Sequence, residues 1–153
     1  MALQSGAALL PAERRVVASL AAIYATRLFG LFLLLPVLAL HTGSLPGGTP
    51  LLAGIAVGAY GLTQALMQIP FGVWSDRFGR RPLIVAGLVL HIAGSALGWF
   101  AGTAWSVIVA RIVQGLGAVS GPVMAFLADL TRPASRTRAM FVIGMSIGAS
   151  FIL

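Results

Sequence analysis

The chain has no cysteine, no lysine and only three acids in 153 residues: Glu13, Asp76 and Asp129. Without cysteine there is neither a disulfide framework nor a thiolate metal site. No zinc-ligand spacing, nucleophile triad or phosphate-cradling glycine loop followed by lysine occurs, so the sequence encodes no ATP hydrolysis and points to no metal, no cofactor and no enzyme. Charged residues make up 8% of the chain, against about 25% for an ordinary soluble domain. With 59% hydrophobic residues and a mean hydropathy of +1.00, the composition is that of a membrane protein. The net charge of +7 rests on arginine alone. These arginines are scattered over short stretches and form no basic stripe interleaved with stacking aromatics, so nucleic acid is not the expected partner.

Five apolar runs approach or exceed the ~20 residues that cross a bilayer. They cover about 16–40, 51–74, 83–101, 104–130 and 139–153, the last still apolar where the chain stops. The first is too long for the core of a signal peptide and reads as a retained span. Residues 1–13 read as a tail, with a helical start near Pro11 and Glu13. The connections alternate in charge. Arg14 and Arg15 precede the first run; Arg77, Arg80 and Arg81 follow the second; Arg132, Arg136 and Arg138 follow the fourth. Residues 41–50 and 102–103 carry no formal charge. Positive segments stay in the cytoplasm, so the N-terminus is expected inside, with 41–50 and 102–103 outside.

Residues 72–82, Gly-Val-Trp-Ser-Asp-Arg-Phe-Gly-Arg-Arg-Pro, are the densest charge in the chain. Such residues do not sit in lipid, so they are expected to form a short loop between two spans. Gly79 allows a tight reversal and Pro82 suits the first turn of the next helix. Arg111 and Arg27 fall inside apolar runs. A mid-span arginine costs ~2.5–3.5 kcal/mol on the insertion scale and is expected to face a polar interior. Arg111, Gln114 and Ala118 share one helix face; Arg27 shares its face with Gly30 and Leu34. Each arginine is either a structural tie or a cavity residue. Gln64 and Gln68 share a face of the second run, lining a water-filled path or bonding a neighbouring helix. His91 reads as a structural imidazole, with a proton relay as the alternative. Asp129 ends the fourth run, where a carboxylate opposes the helix dipole and calls for an arginine partner. Three glycine pairs at four-residue spacing, 54/58, 117/121 and 144/148, read as close helix packing or as a sliding surface.

The string Gly72-x-x-x-Asp76-Arg77-x-Gly79-Arg80-Arg81 resembles the signature loop between the second and third helices of major facilitator superfamily transporters. It departs from that pattern at Trp74, where leucine is usual. Arg111-x-x-Gln114-Gly115-x-Gly117 resembles the fourth-span motif of the same family, and Arg27-Leu-Phe-Gly30 with Pro36 resembles its first span. The resemblance covers nearly the whole chain and is nearest to the bacterial drug-efflux-like branch of inner-membrane transporters. It implies an all-α, polytopic membrane helix bundle, a partial N-terminal six-helix half spanning 14–153, whose C-terminal half is missing here. It implies a proton-coupled exporter of a small molecule, working by alternating access in the bacterial inner membrane. By the same resemblance, Gly72, Asp76, Arg77, Gly79, Arg80 and Asp129 make a cytoplasmic gate that ties the two halves in the outward-open state. Arg27, Gln64, Arg111 and Gln114 are the cavity and coupling candidates. No carboxylate stands at mid-depth in these spans, so the acid that cation exporters of this kind use is not supplied by this part. The alternative from another class is a non-transporting membrane scaffold, or a subunit of a split protein, assembled through its small-residue faces.

Overall fold

The computed structural model describes residues 9–117 and 119–152, the side chains of 151 and 152 excepted. All secondary structure among the described residues is helical: α1 (Pro11–Ser44), α2 (Pro50–Phe78), α3 (Arg80–Trp99), α4 (Ala104–Leu116), α5 (Ser120–Leu130) and α6 (Pro133–Ile152). Four stretches are long and apolar enough to cross a membrane: α1, α2, α3 and the Ala104–Leu130 stretch made of α4 and α5. The fold is therefore an all-helical, polytopic membrane architecture. The apolar part of α6 begins at Ala139, after Arg136 and Arg138.

Several boundaries differ from the sequence expectation, each for a local reason. The stretch 72–82, expected as a loop, is helical on both sides of Gly79. α2 continues to Phe78 and α3 starts at Arg80, so Gly79 alone breaks the helix. Its φ of 97° and ψ of 150° lie where only glycine goes without strain, and one residue suffices for the turn. α1 runs through Pro36 to Ser44, so the first connection is 45–49 rather than 41–50. Thr49 caps α2 by accepting from Leu52 N at 3.2 Å. The fourth run is two helices, α4 and α5, rather than one. Thr103 and Ser106 cap α4 reciprocally, a capping box worth about 1 kcal/mol.

The chain forms two compact units. One is continuous, Leu34–Pro122; the other combines Met1–Leu33 with Val123–Leu153. In the continuous unit α4 packs on both α2 and α3, which also touch each other. Leu38, Ala56, Ala101, Val107 and Ile108 form its apolar core. Glycine sets how closely the helices approach. A Cβ on Gly94 of α3 would stand 2.5 Å from the Gln114 backbone N, and one on Gly115 of α4 would stand 2.7 Å from Tyr60 O. Gly117 meets the Gly87 carbonyl in the same way. Gly117 is the one described member of the four-residue pairs that does so. Gly54, Gly58, Gly144 and Gly148 meet nothing within 4 Å among the described residues, and Gly121 makes only an ordinary contact with Gln68 O. Close approach thus comes from single glycines facing a partner backbone, not from the four-residue spacing.

The second unit is built on Val17, Leu20, Ala21, Val123, Leu127, Ala139 and Ile143, all buried. Ser150 Oγ donates to Ala25 O at 3.2 Å and fastens α6 to α1. At the other end Glu13 is the organising residue. Its carboxylate accepts from Arg132 N at 3.0 Å, Arg132 Nε at 3.1 Å, Ser135 Oγ at 3.0 Å and Leu10 N at 2.8 Å. One acid in the first turn of α1 thereby satisfies orphan donors where α1 and α6 begin, next to the positive ends of both helix dipoles. Thr131 Oγ1 donates to Leu127 O, and Arg136 Nη2 to Ala128 O, closing the end of α5.

Candidate functional site

Two polar clusters stand out in the continuous unit. The first lies among the apolar helices. Arg111, in the middle of α4, is 3% exposed. Its Nη1 donates to Gln114 Oε1 at 2.8 Å, one helical turn away. Gln114 Nε2 donates to Ser95 Oγ of α3 at 2.8 Å, and Ser95 Oγ donates to His91 O at 2.9 Å. Tyr60 of α2 covers the guanidinium, its ring centre 5.2 Å from Arg111 Cζ. A cation over an aromatic face gains about 0.5–2 kcal/mol, more when desolvated. Tyr60 also stands edge-on to His91, with ring centres 6.3 Å apart. The chain α2–α4–α3 is thus linked by Tyr60, Arg111, Gln114 and Ser95. Such a path disposes of a buried charge that lipid would not accept.

This cluster borders a cavity of about 510 Å³, whose walls include Leu34, Val37, Leu38 and His41 of α1, Ser95, Gly98 and Trp99 of α3, and Val107, Ala110, Arg111 and Gln114 of α4. The size suits a small organic molecule, and the wall is mostly apolar with a few polar groups, the usual constitution of a ligand site. Gly94 and Gly115 are what bring the polar groups together. Any side chain at Gly94 would displace Gln114, and any at Gly115 would push back the Tyr60 backbone.

The second cluster is at the junction of α2 and α3. Asp76 and Arg80 form an ion pair across Gly79. Arg80 Nη1 also donates to Ser75 Oγ at 2.6 Å, and Ser75 Oγ donates to Gly72 O at 2.7 Å. Ser75 is buried and Asp76 is largely exposed, so the exposed carboxylate is held from behind by a fixed guanidinium. Arg77 lies over the Phe78 ring, 5.8 Å from its centre.

Of the residues singled out from sequence, Arg111 and Gln114 are brought together at the cavity, and Asp76 and Arg80 at the junction. Gln64 is half-buried on α2 and is not among the cavity walls. Arg27 is buried in the unit formed by Met1–Leu33 and Val123–Leu153, and Asp129 is exposed near the end of α5 in that same unit. Ala118, expected on the Arg111 face, lies outside the described residues. Tyr60, Ser75, Ser95 and the Glu13–Arg132–Ser135 contact were not singled out. Each depends on a partner from another helix or from 119 residues away, and spacing along one helix carries no such signal.

Membrane-length apolar helices line a partly open, partly polar cavity beside a buried, hydrogen-bonded arginine, an arrangement that fits a membrane carrier. Over residues 19–153 the sequence matches the Major Facilitator Superfamily, and the chain belongs to that family. It is 48% identical over 143 residues, 94% of its length, to the inner membrane transport protein YajR of Escherichia coli. It is 40% identical over 141 residues, 92% of its length, to an uncharacterized transporter of Buchnera aphidicola. It is 31% identical over 128 residues, 82% of its length, to the multidrug resistance protein MdtH of Aeromonas salmonicida. These alignments take in 32%, 36% and 32% of the respective relatives, so the chain spans about a third of the length of the curated relatives it matches.

Proposed function

We propose that this chain is the N-terminal part of a proton-coupled exporter of small organic molecules that works by alternating access in the bacterial inner membrane. The observation that carries the reading is the buried Arg111–Gln114–Ser95 path beside the 510 Å³ cavity. An intramembrane charge held by hydrogen bonds at a cavity wall is a functional site by default, because lipid selects against it. The relatives named for transport and multidrug resistance support the same class. In this reading the N-terminus is cytoplasmic, and Arg27 and Gln64 belong with Arg111 and Gln114 to the coupling and substrate path. Gly72, Asp76, Arg77, Gly79 and Arg80 belong with Asp129 to the gate. The Asp76–Arg80 pair gains little by itself, since an exposed pair contributes ~0–1 kcal/mol. Its worth as a gate lies in a third charge that meets it in one conformation and leaves it in the other.

The test uses the full-length protein in proteoliposomes loaded with a pH-sensitive dye under an imposed proton gradient. Amphipathic organic cations and anions are added in turn. Compound-dependent proton flux is expected for at least one class, and Asp76→Asn is expected to lower it at least fivefold at equal incorporation. Proton flux that no compound changes would reject the exporter reading. Flux at the wild-type rate in Asp76→Asn would reject the gate role.

A further inference from the structure

The cavity wall carries a cation that the described residues bind but do not neutralise. Arg111 uses one of its nitrogens, Nη1, to reach Gln114 Oε1. Nε and Nη2 are buried and meet no hydrogen-bond acceptor among the described residues. These two atoms form one edge of the guanidinium, their N–H bonds point the same way, and neighbouring atoms seal that edge, so a ligand reaches it only when they move aside. That edge is the fork that a carboxylate fills with two parallel hydrogen bonds. The rest of the group is already fixed. Tyr60 covers a face, and Gln114 is held in turn by the bond from its amide to Ser95. None of the three acids of the chain lines the cavity. Asp76 is 65% exposed and paired with Arg80, and Glu13 is taken up by Arg132 and Ser135.

We infer that the cavity is a binding site for the carboxylate of small amphipathic organic acids, with Arg111 Nε and Nη2 as the anchoring fork. This inference rests on the transporter reading above and names its substrate class as organic anions. The apolar walls from Val37, Leu38, Val107 and Trp99 would take the hydrocarbon part of such a ligand. The same wall disfavours organic cations. A positive ligand would enter a low-dielectric space beside a guanidinium that holds its charge at any physiological pH.

The probes are 4-phenylbutyrate, 4-phenylbutanol and 4-phenylbutylamine, which share one hydrocarbon frame and differ in head group. Binding to the full-length protein is measured by scintillation proximity with tritiated phenylbutyrate and the other two as competitors. The acid is expected to bind at least tenfold more tightly than the alcohol, and the amine no better than the alcohol. Arg111→Gln is expected to bring the acid down to the affinity of the alcohol. Arg111→Lys keeps the charge but loses the fork, and an intermediate loss of about three- to tenfold is expected. If Arg111→Gln does not insert, the three head groups on the wild-type protein decide alone. Equal affinity of acid and alcohol, or preference for the amine, overturns the inference, and would mean that an acid from elsewhere in the full-length protein fills the fork. Movement of the three compounds is followed in parallel in proteoliposomes. Transport of the amine and not the acid leaves the transporter reading standing and overturns the anion site. Arg111-dependent binding of the acid with no compound moved supports the anion site and rejects the transporter reading.

Discussion

Gly115→Ala adds one methyl group where α4 meets the backbone of α2, and its effect can be worked out from distances. The new Cβ would stand 2.7 Å from Tyr60 O and 2.9 Å from Thr63 Cβ. Ordinary contact begins at 3.4 Å, so α2 and α4 must part by about 0.7 Å. The obstacle is a helix backbone, which cannot rotate aside as a side-chain tip can. Overpacking of this kind costs typically 1–3 kcal/mol. Alanine's better helix propensity returns at most about 1 kcal/mol, and because the obstacle is backbone the cost falls in the upper part of that range, leaving a net loss of about 1–2 kcal/mol. The same displacement draws the Tyr60 ring away from Arg111, which weakens the cation–π contact. The assay is thermal unfolding of the full-length protein in mild detergent. The control is Gly61→Ala on α2, where a Cβ meets nothing within 4 Å. The Gly115 variant is expected to unfold several degrees below wild type and the Gly61 variant at or above it. Identical unfolding of Gly115→Ala and wild type would refute the claim that this glycine sets the α2–α4 distance.

Gly79→Ala forces a side chain onto a backbone with φ of 97°, at a cost of about 1–3 kcal/mol. It is expected to lower thermal stability and to disturb the Asp76–Arg80 pair, read as a fall in transport beyond that in an Asp76→Asn background. Glu13, three residues before the apolar run, carries a carboxyl held at about 2 instead of 4.5. The first cause is the Arg132 side chain, then the backbone N–H groups of Arg132 and Leu10 and the Ser135 hydroxyl, with burial opposing. A lowered carboxyl pKa stabilises the fold fully above about pH 4.5, and the contribution is lost as pH falls from there toward 2. Glu13→Gln is therefore expected to unfold earlier than wild type at pH 7, and the gap should narrow as pH drops from 5 to 2.5. A gap independent of pH would show that the ionised carboxylate is not what matters. Orientation is tested with single cysteines, to which this chain contributes no background thiol. Pro46, in the first connection, and Ala134, at the start of α6, are exposed and are the positions to label. Pro46→Cys is expected to react from the periplasm and Ala134→Cys only from the cytoplasm.

The parts of the fold legible in the sequence are those that depend on one helix at a time. Apolar length announced membrane helices, but arginine placement did not mark their ends, since Arg77, Arg80, Arg81, Arg136 and Arg138 lie inside α2, α3 and α6. The cost of a charge in lipid pointed to Arg111 as buried, and i, i+3 spacing pointed to Gln114 as its neighbour. What stayed hidden depends on two helices meeting. Nothing in the spacing of Gly54 and Gly58 says that they meet no partner while Gly94 and Gly115 do. Nothing along α2 shows that Tyr60 faces Arg111. The Gly79 break was legible as a turn but not as a one-residue turn, because only the backbone angles show that no further residues are needed.

The Glu13 contact bears on the order of assembly. The Leu34–Pro122 unit is one unbroken length of chain, and its helix contacts can form as soon as it has been inserted. The other unit is in two pieces, and Arg132 follows Glu13 by 119 residues. Glu13 leaves the ribosome 119 residues before Arg132, so its carboxylate waits for that whole length of chain before its partners exist. Until then α1 has no contact with α6 to hold its start, and its placement rests on hydrophobicity and flanking charge. The join between Glu13, Arg132 and Ser135 therefore forms only after the whole Leu34–Pro122 segment has been made. A pulse-labelled chain stalled before residue 132 would still carry an uncommitted acid at its entrance.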